Sequence, residues 1–212
     1  MKQIKQYKNL ISEIPVLNQS TIIKRKIWEK FLHTTLRNFE HAIFENNDEI
    51  ELSRDDIISE PNIKKKIIMT LMWGYPTGGR GNNIKNILGE IDKLSTLLSP
   101  INNQDLSKSY SNLLFKKFAS IHGLGISTWS KFLFFFNVSI DSNKCQIYDL
   151  KIVDSLNKKQ FTELSENNAK WKQDIKHYYK YIELLNYLAR TMNVRPEKVE
   201  IFLFYYNLYY KF

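Results

Sequence analysis

An all-α fold is predicted by three features of this 212-residue chain. Apolar side chains recur at three- and four-residue steps almost throughout, no convincing pair of alternating strands is visible, and caps or prolines stand where periodic segments begin. With 43% hydrophobic residues and no internal repeat or low-complexity tract, residues 1–212 read as a single helical domain with a sizeable core.

The elements follow in order. Residues 22–44 place Ile23, Ile27, Phe31, Leu32, Leu36 and Phe39 on one stripe, which predicts a long amphipathic helix stopped by Asn46-Asn47-Asp48. Ser53-Arg54-Asp55-Asp56 reads as an N-cap with an acidic first turn, and Pro61 separates that short helix from one over 63–73. A glycine-rich loop spans 74–81. Helices are then predicted over 84–98, 107–121, 127–137, 150–158 and 171–192, and a last one is opened by Pro196. Residues 201–212 hold seven aromatics, most of them expected in the core.

The net charge of +9, from 31 basic and 22 acidic residues, favours a polyanionic partner. An AT-rich genome yields a similar lysine-rich composition, so position matters more than count. Lys116 and Lys117 lie where they could flank a phosphate track. One cysteine, Cys145, excludes an intramolecular disulfide and a cysteine-rich zinc or iron-sulfur site. His33, His41 and His177 lack ligand spacing, although Glu29 and His33 are four residues apart, so neither metal nor cofactor is expected. The basic N-terminus precedes no apolar run, and no segment approaches the roughly 20 apolar residues that span a bilayer. A cytoplasmic, nucleoid-associated monomer is expected.

Gly123 and Gly125 stand in Ile121-His122-Gly123-Leu124-Gly125-Ile126-Ser127, between two aromatic helical segments. This is the shape of a helix-hairpin-helix over about 110–137. Glycines with φ > 0 would let main-chain N–H groups converge on a phosphate, and a helix starting near Ser127 would add its positive dipole end. His122 sits where it could touch the same phosphate. An ordinary helix-helix turn has the same pattern.

Twenty-four residues beyond Gly125, the segment Ile147-Tyr148-Asp149-Leu150-Lys151-Ile152-Val153 sets an aspartate between an apolar approach and a helical run, within about 145–158. Hairpin, aromatic helix, irregular stretch and aspartate in this order resemble the helix-hairpin-helix DNA glycosylase superfamily, in particular its bacterial branch similar to 8-oxoguanine glycosylases. The resemblance covers about 35 residues, 118–153. It implies a helical bundle with a central cleft, double-stranded DNA as partner, and Asp149 as the residue on which excision depends. It permits either DNA repair or phage defence, with an oxidised purine or a modified phage base as substrate.

An N-glycosidic bond breaks through an oxocarbenium-like sugar, which a carboxylate near the anomeric carbon stabilises. Asp149 at a helix start suits that task, though aspartate is also a common N-cap. The nucleophile has two registers. Counting from the hairpin, Ser127 stands where bifunctional relatives carry lysine, which points to water. Counting back from Asp149, Lys131 lies 18 residues before it, similar to the lysine-aspartate spacing of those relatives and consistent with AP-lyase chemistry. Helical geometry puts Ser127, Lys131 and Phe134 on one face, opposite Trp129, Phe132, Leu133 and Phe136. In the loop, Trp73 and Tyr75 offer stacking surfaces and Arg80 a phosphate contact; with Phe134 the two aromatics are expected to line a base pocket. A catalytically silent DNA-binding protein and a helical interaction protein are the competing readings.

Overall fold

The computed structural model describes residues 2–32, 34–165 and 170–209. His33 lies outside them, as do Tyr210, Phe212 and the side chain of Tyr209. The chain runs through α1 (Lys8–Ser12), β1 (Ser20–Lys24), α2 (Arg25–Trp28), α3 (Arg37–Phe44), β2 (Glu49–Ser53), α4 (Arg54–Ser59) and α5 (Ile63–Gly74). There follow α6 (Asn83–Gly89), α7 (Ile91–Leu98), β3 (Asp105–Leu106), α8 (Lys108–Ala119), α9 (Ile126–Phe135), β4 (Ser139–Ile140) and β5 (Asn143–Lys144). The last helices are α10 (Leu150–Asn157), α11 (Thr162–Ser165), α12 (Ile175–Met192) and α13 (Pro196–Tyr209).

The expectation of an all-α fold is corrected by two small sheets. β1 and β2 pair antiparallel, with Ile23 opposite Ile50 and Thr21 opposite Leu52. The single helix expected over 22–44 therefore does not form. Thr21-Ile22-Ile23 is β-branched and suits an extended backbone, with Ile22 58% exposed and Ile23 buried. Helical period resumes only in α2 and α3. In the second sheet β3 runs parallel to β4, and β4 turns back into β5 through Asp141 and Ser142, both at positive φ as a tight hairpin requires.

Other boundaries follow their caps. Ser53 and Asp56 form a reciprocal capping box at α4, and Asn62, Ser107, Asp149 and Asp174 each accept a backbone N–H at the start of α5, α8, α10 and α12. Asp174 moves the start of α12 downstream of the expected residue 171. The helix expected over 84–98 breaks at Gly89-Glu90 into α6 and α7, each of which buries its own apolar stripe.

α9 lies in the core. Ile126 and every residue from Thr128 to Phe135 are buried. Trp129 packs 4.9 Å from Phe118, and Phe135 meets Trp73 edge-on at 5.4 Å. A helix buried on nearly all sides is held by packing rather than propensity, and its polar members Thr128, Ser130 and Lys131 must find partners inside. The expected central cleft is not shown. A groove of about 570 Å³ between α1 and α13 is lined by Leu10, Gln19, Phe202 and Tyr205 among others, not by Asp149 or Lys131. Among the described residues no helix is long and apolar enough to cross a membrane.

Candidate active site

α8 and α9 are joined by a turn in which alternate residues face in and out. Ile121, Leu124 and Ile126 are buried, whereas His122, Gly123 and Gly125 are exposed, so the apolar anchors hold the backbone of the others at the surface. Gly123 has φ +96°, and a Cβ there would lie 3.0–3.1 Å from atoms of Asn83, so both geometry and space call for glycine. Gly125 corrects the expectation of two left-handed glycines. Its φ of −138° is extended, and a Cβ would meet nothing within 4 Å. Gly125 is also the N-cap of α9 and supplies no side-chain bond to its first turn. Lys116 and Lys117 are exposed in the last turn of α8, and Arg80 is exposed in the glycine-rich loop. His122 Nδ1 lies 3.1 Å from Asn86 Nδ2.

Asp149 caps α10. It follows the buried extended run Cys145 to Tyr148, and its Oδ1 accepts the Ile152 N–H at 3.1 Å. The carboxylate is partly exposed, and Leu150 beside it is 60% exposed, so the start of α10 opens to solvent.

Lys131 is buried one turn below Ser127. Its Nζ donates to Ser127 Oγ at 2.9 Å and lies 3.4 Å from the Ser127 carbonyl oxygen. The stem runs along the end of α5, where a Cβ on Gly74 would come within 2.9 Å of Lys131 Cδ. The ammonium also lies 5.8 Å from the centre of the Tyr75 ring. Burial pushes the Lys131 amine below its ordinary pKa; the negative charges of Asp149 and Glu200 pull it back up and Arg54 lowers it further. Tyr75 OH meets Thr128 Oγ1 at 2.6 Å, and burial raises its pKa. Ser127, Lys131, Tyr75 and Asp149 thus share one electrostatic neighbourhood.

The shared face of Ser127 and Lys131 is as expected, but it does not continue outward to Phe134. Phe134 is buried under the Arg54 guanidinium, 4.7 Å from its ring centre, and Trp73 faces the same group at 5.3 Å. Arg54 donates in turn to both carboxylate oxygens of Glu200, at 2.9 and 3.3 Å, with both side chains buried. Phe134 and Trp73 therefore enclose a buried cation instead of lining a base pocket. Of the three aromatics expected there, Tyr75 alone reaches the Ser127–Lys131 cluster.

Sequence reasoning missed Thr128, the Arg54–Glu200 pair and the meeting of the two glycine clusters. Neither Arg54 in an N-terminal turn nor Glu200 on a helix carries a local signal of burial. Among the described residues no group of three or more His, Cys, Asp or Glu side chains gathers as a metal site.

One comparison with known proteins matches most of the chain. Residues 14–204 fit the model of the OGG family, described as "Putative 8-oxoguanine DNA glycosylase OGG-like protein". No curated protein and no solved structure matches the chain. The match contains the turn at His122–Gly125, Lys131 and Asp149, and by its extent the chain belongs to the OGG-like family.

Proposed function

We propose that the chain is a DNA glycosylase that draws a damaged or modified base out of duplex DNA and cleaves its N-glycosidic bond. The observation that carries this is the convergence of a partly exposed helix-capping carboxylate, Asp149, with a buried amine, Lys131, beside an exposed glycine turn. In this reading the turn at His122–Gly125, with Lys116, Lys117 and Arg80, grips phosphates, and Asp149 stabilises the positive charge that develops on the sugar. Water attacks the anomeric carbon. Lys131 spends its donors on Ser127 and orients that first turn of α9. The substrate is an oxidised purine, such as 8-oxoguanine, or a modified base of phage DNA, with repair and phage defence as the corresponding roles. Counting alkali-labile abasic sites in duplex DNAs of differing modification tests the proposal; duplex binding without such sites on any of them identifies a silent DNA-binding protein.

A second mechanism is favoured by the depressed pKa of Lys131, since a neutral amine can attack the sugar and form an imine. Borohydride present during turnover distinguishes the two. The water mechanism predicts no covalent adduct and a residual rate in Lys131→Gln; an adduct that Lys131→Gln loses establishes lysine attack.

The open space at Gly125 gives a separate prediction. A Cβ on Gly125 meets nothing within 4 Å, so Gly125→Val should fold, its stability lowered by about 1 kcal/mol or less through the poorer N-cap, while duplex affinity falls for all sequences alike. Gel shifts with unrelated duplexes measure this, and full affinity in a folded variant removes the turn from the interface.

A further inference from the structure

We infer that Ser130 is a positioning residue, a hydroxyl clamp that sets the separation of Asp149 from the Ser127–Lys131 turn. The inference rests on the glycosylase reading for its catalytic consequence. Ser130 is fully buried on α9, three residues after Ser127 and directly before Lys131. Its Oγ donates to the Ser127 carbonyl oxygen at 2.9 Å and accepts the Tyr148 backbone N–H at 2.9 Å. One hydroxyl therefore ties the residue before Asp149 to the turn of α9 that carries Ser127 and Lys131.

The bond to the Tyr148 N–H is buried, out of reach of water. Tyr148 is fully buried, its ring 4.8 Å from Tyr181 and 5.9 Å from Tyr178, and its hydroxyl donates to the Lys172 carbonyl oxygen at 2.9 Å. Residues 145–148 form no strand: the Cys145 N–H donates to the Val138 carbonyl oxygen at 3.0 Å, while the Ile147 carbonyl and the Tyr148 N–H are met by side chains. Tyr181 OH supplies a second tether by donating to the Ile147 carbonyl oxygen at 2.9 Å. Ser130 holds the segment to α9 and Tyr181 holds it to α12. Among the described residues no other hydrogen bond runs from 145–149 to α9, the element bearing Lys131, so loss of the Ser130 bond frees Asp149 relative to that amine rather than relative to the rest of the core. A displacement of about an ångström at a reacting group is enough to slow chemistry on the order of a hundredfold.

The test combines amide hydrogen exchange with single-turnover excision and duplex affinity in Ser130→Ala, Ser130→Thr and Tyr181→Phe. Ser130→Ala is expected to speed exchange at Tyr148 while α12 keeps its protection, and to slow excision at least tenfold with affinity within threefold. Ser130→Thr, which keeps the hydroxyl, should restore most of the rate. Tyr181→Phe keeps its ring and the Ser130 bonds and should retain most of the excision rate; should the alanine variant not fold, Ser130→Cys, a near-isostere whose thiol bonds only weakly, takes its place in the same exchange and excision measurements. Unchanged exchange at Tyr148, or faster exchange with an unchanged excision rate, overturns the clamp in a chain that excises. If the unsubstituted chain releases no base, the glycosylase reading fails, and with it the catalytic consequence of Ser130.

Discussion

Replacing Asp149 by asparagine should lower base excision by at least about a hundredfold, the scale on which one preorganised charge at a transition state acts. Duplex affinity should change by less than about tenfold, since the carboxylate faces developing positive charge and not phosphate. Asparagine is the informative substitution because it caps a helix about as well as aspartate. The Ile152 N–H keeps its acceptor, α10 keeps its start, and the melting temperature should hold. Asp149→Ala removes the cap as well and should cost about 1 kcal/mol of stability in addition to activity. Full excision by Asp149→Asn alongside a destabilised alanine variant would leave Asp149 a cap and nothing more.

The second large effect lies beneath the site. Glu200→Ala leaves the Arg54 guanidinium buried without its carboxylate, and breaking such a pair from one side destabilises by about 3–5 kcal/mol. The environment is demanding already. Arg54 Nε has no hydrogen-bond partner among the described residues, and burial raises the Glu200 pKa against the opposing pull of Arg54. Urea unfolding should show the midpoint falling sharply in Glu200→Ala, and the double substitution Arg54→Met with Glu200→Leu should recover much of the loss. An unfolding free energy of Glu200→Ala within about 1 kcal/mol of the parent would mean that the pair is solvated and carries little of the fold.

Helix starts were the most legible part of the fold, because a cap is a local chemical event. Ser53, Ser107 and Asp149 accept backbone N–H groups where the sequence places them. The β1–β2 pair was missed for a definite reason. Ile23 and Ile27 are four residues apart, which satisfies a helical stripe, while the alternation in Glu49-Ile50-Glu51-Leu52 marks the partner strand only when both segments are compared. At the site, the sequence put Ser127 and Lys131 on one face and named Asp149 and Tyr75. It could not separate Lys131, whose amine bonds Ser127, from Phe134, which Arg54 covers, because both fit the same helical stripe. Nor could it foresee that Gly74 makes room for the Lys131 stem, a contact between residues 57 positions apart in the chain. Such long-range pairings leave no periodicity to read.

The most direct measurement is mass spectrometry of free bases released from duplex DNA, run in parallel on the unsubstituted chain and Asp149→Asn with substrates carrying oxidised purines or phage-type modified bases. The account predicts a single class of released base, an equal number of abasic sites in the DNA, and neither product from Asp149→Asn at matched duplex occupancy. Release at an equal rate from both proteins, or tight duplex binding with no base released by either, would contradict it.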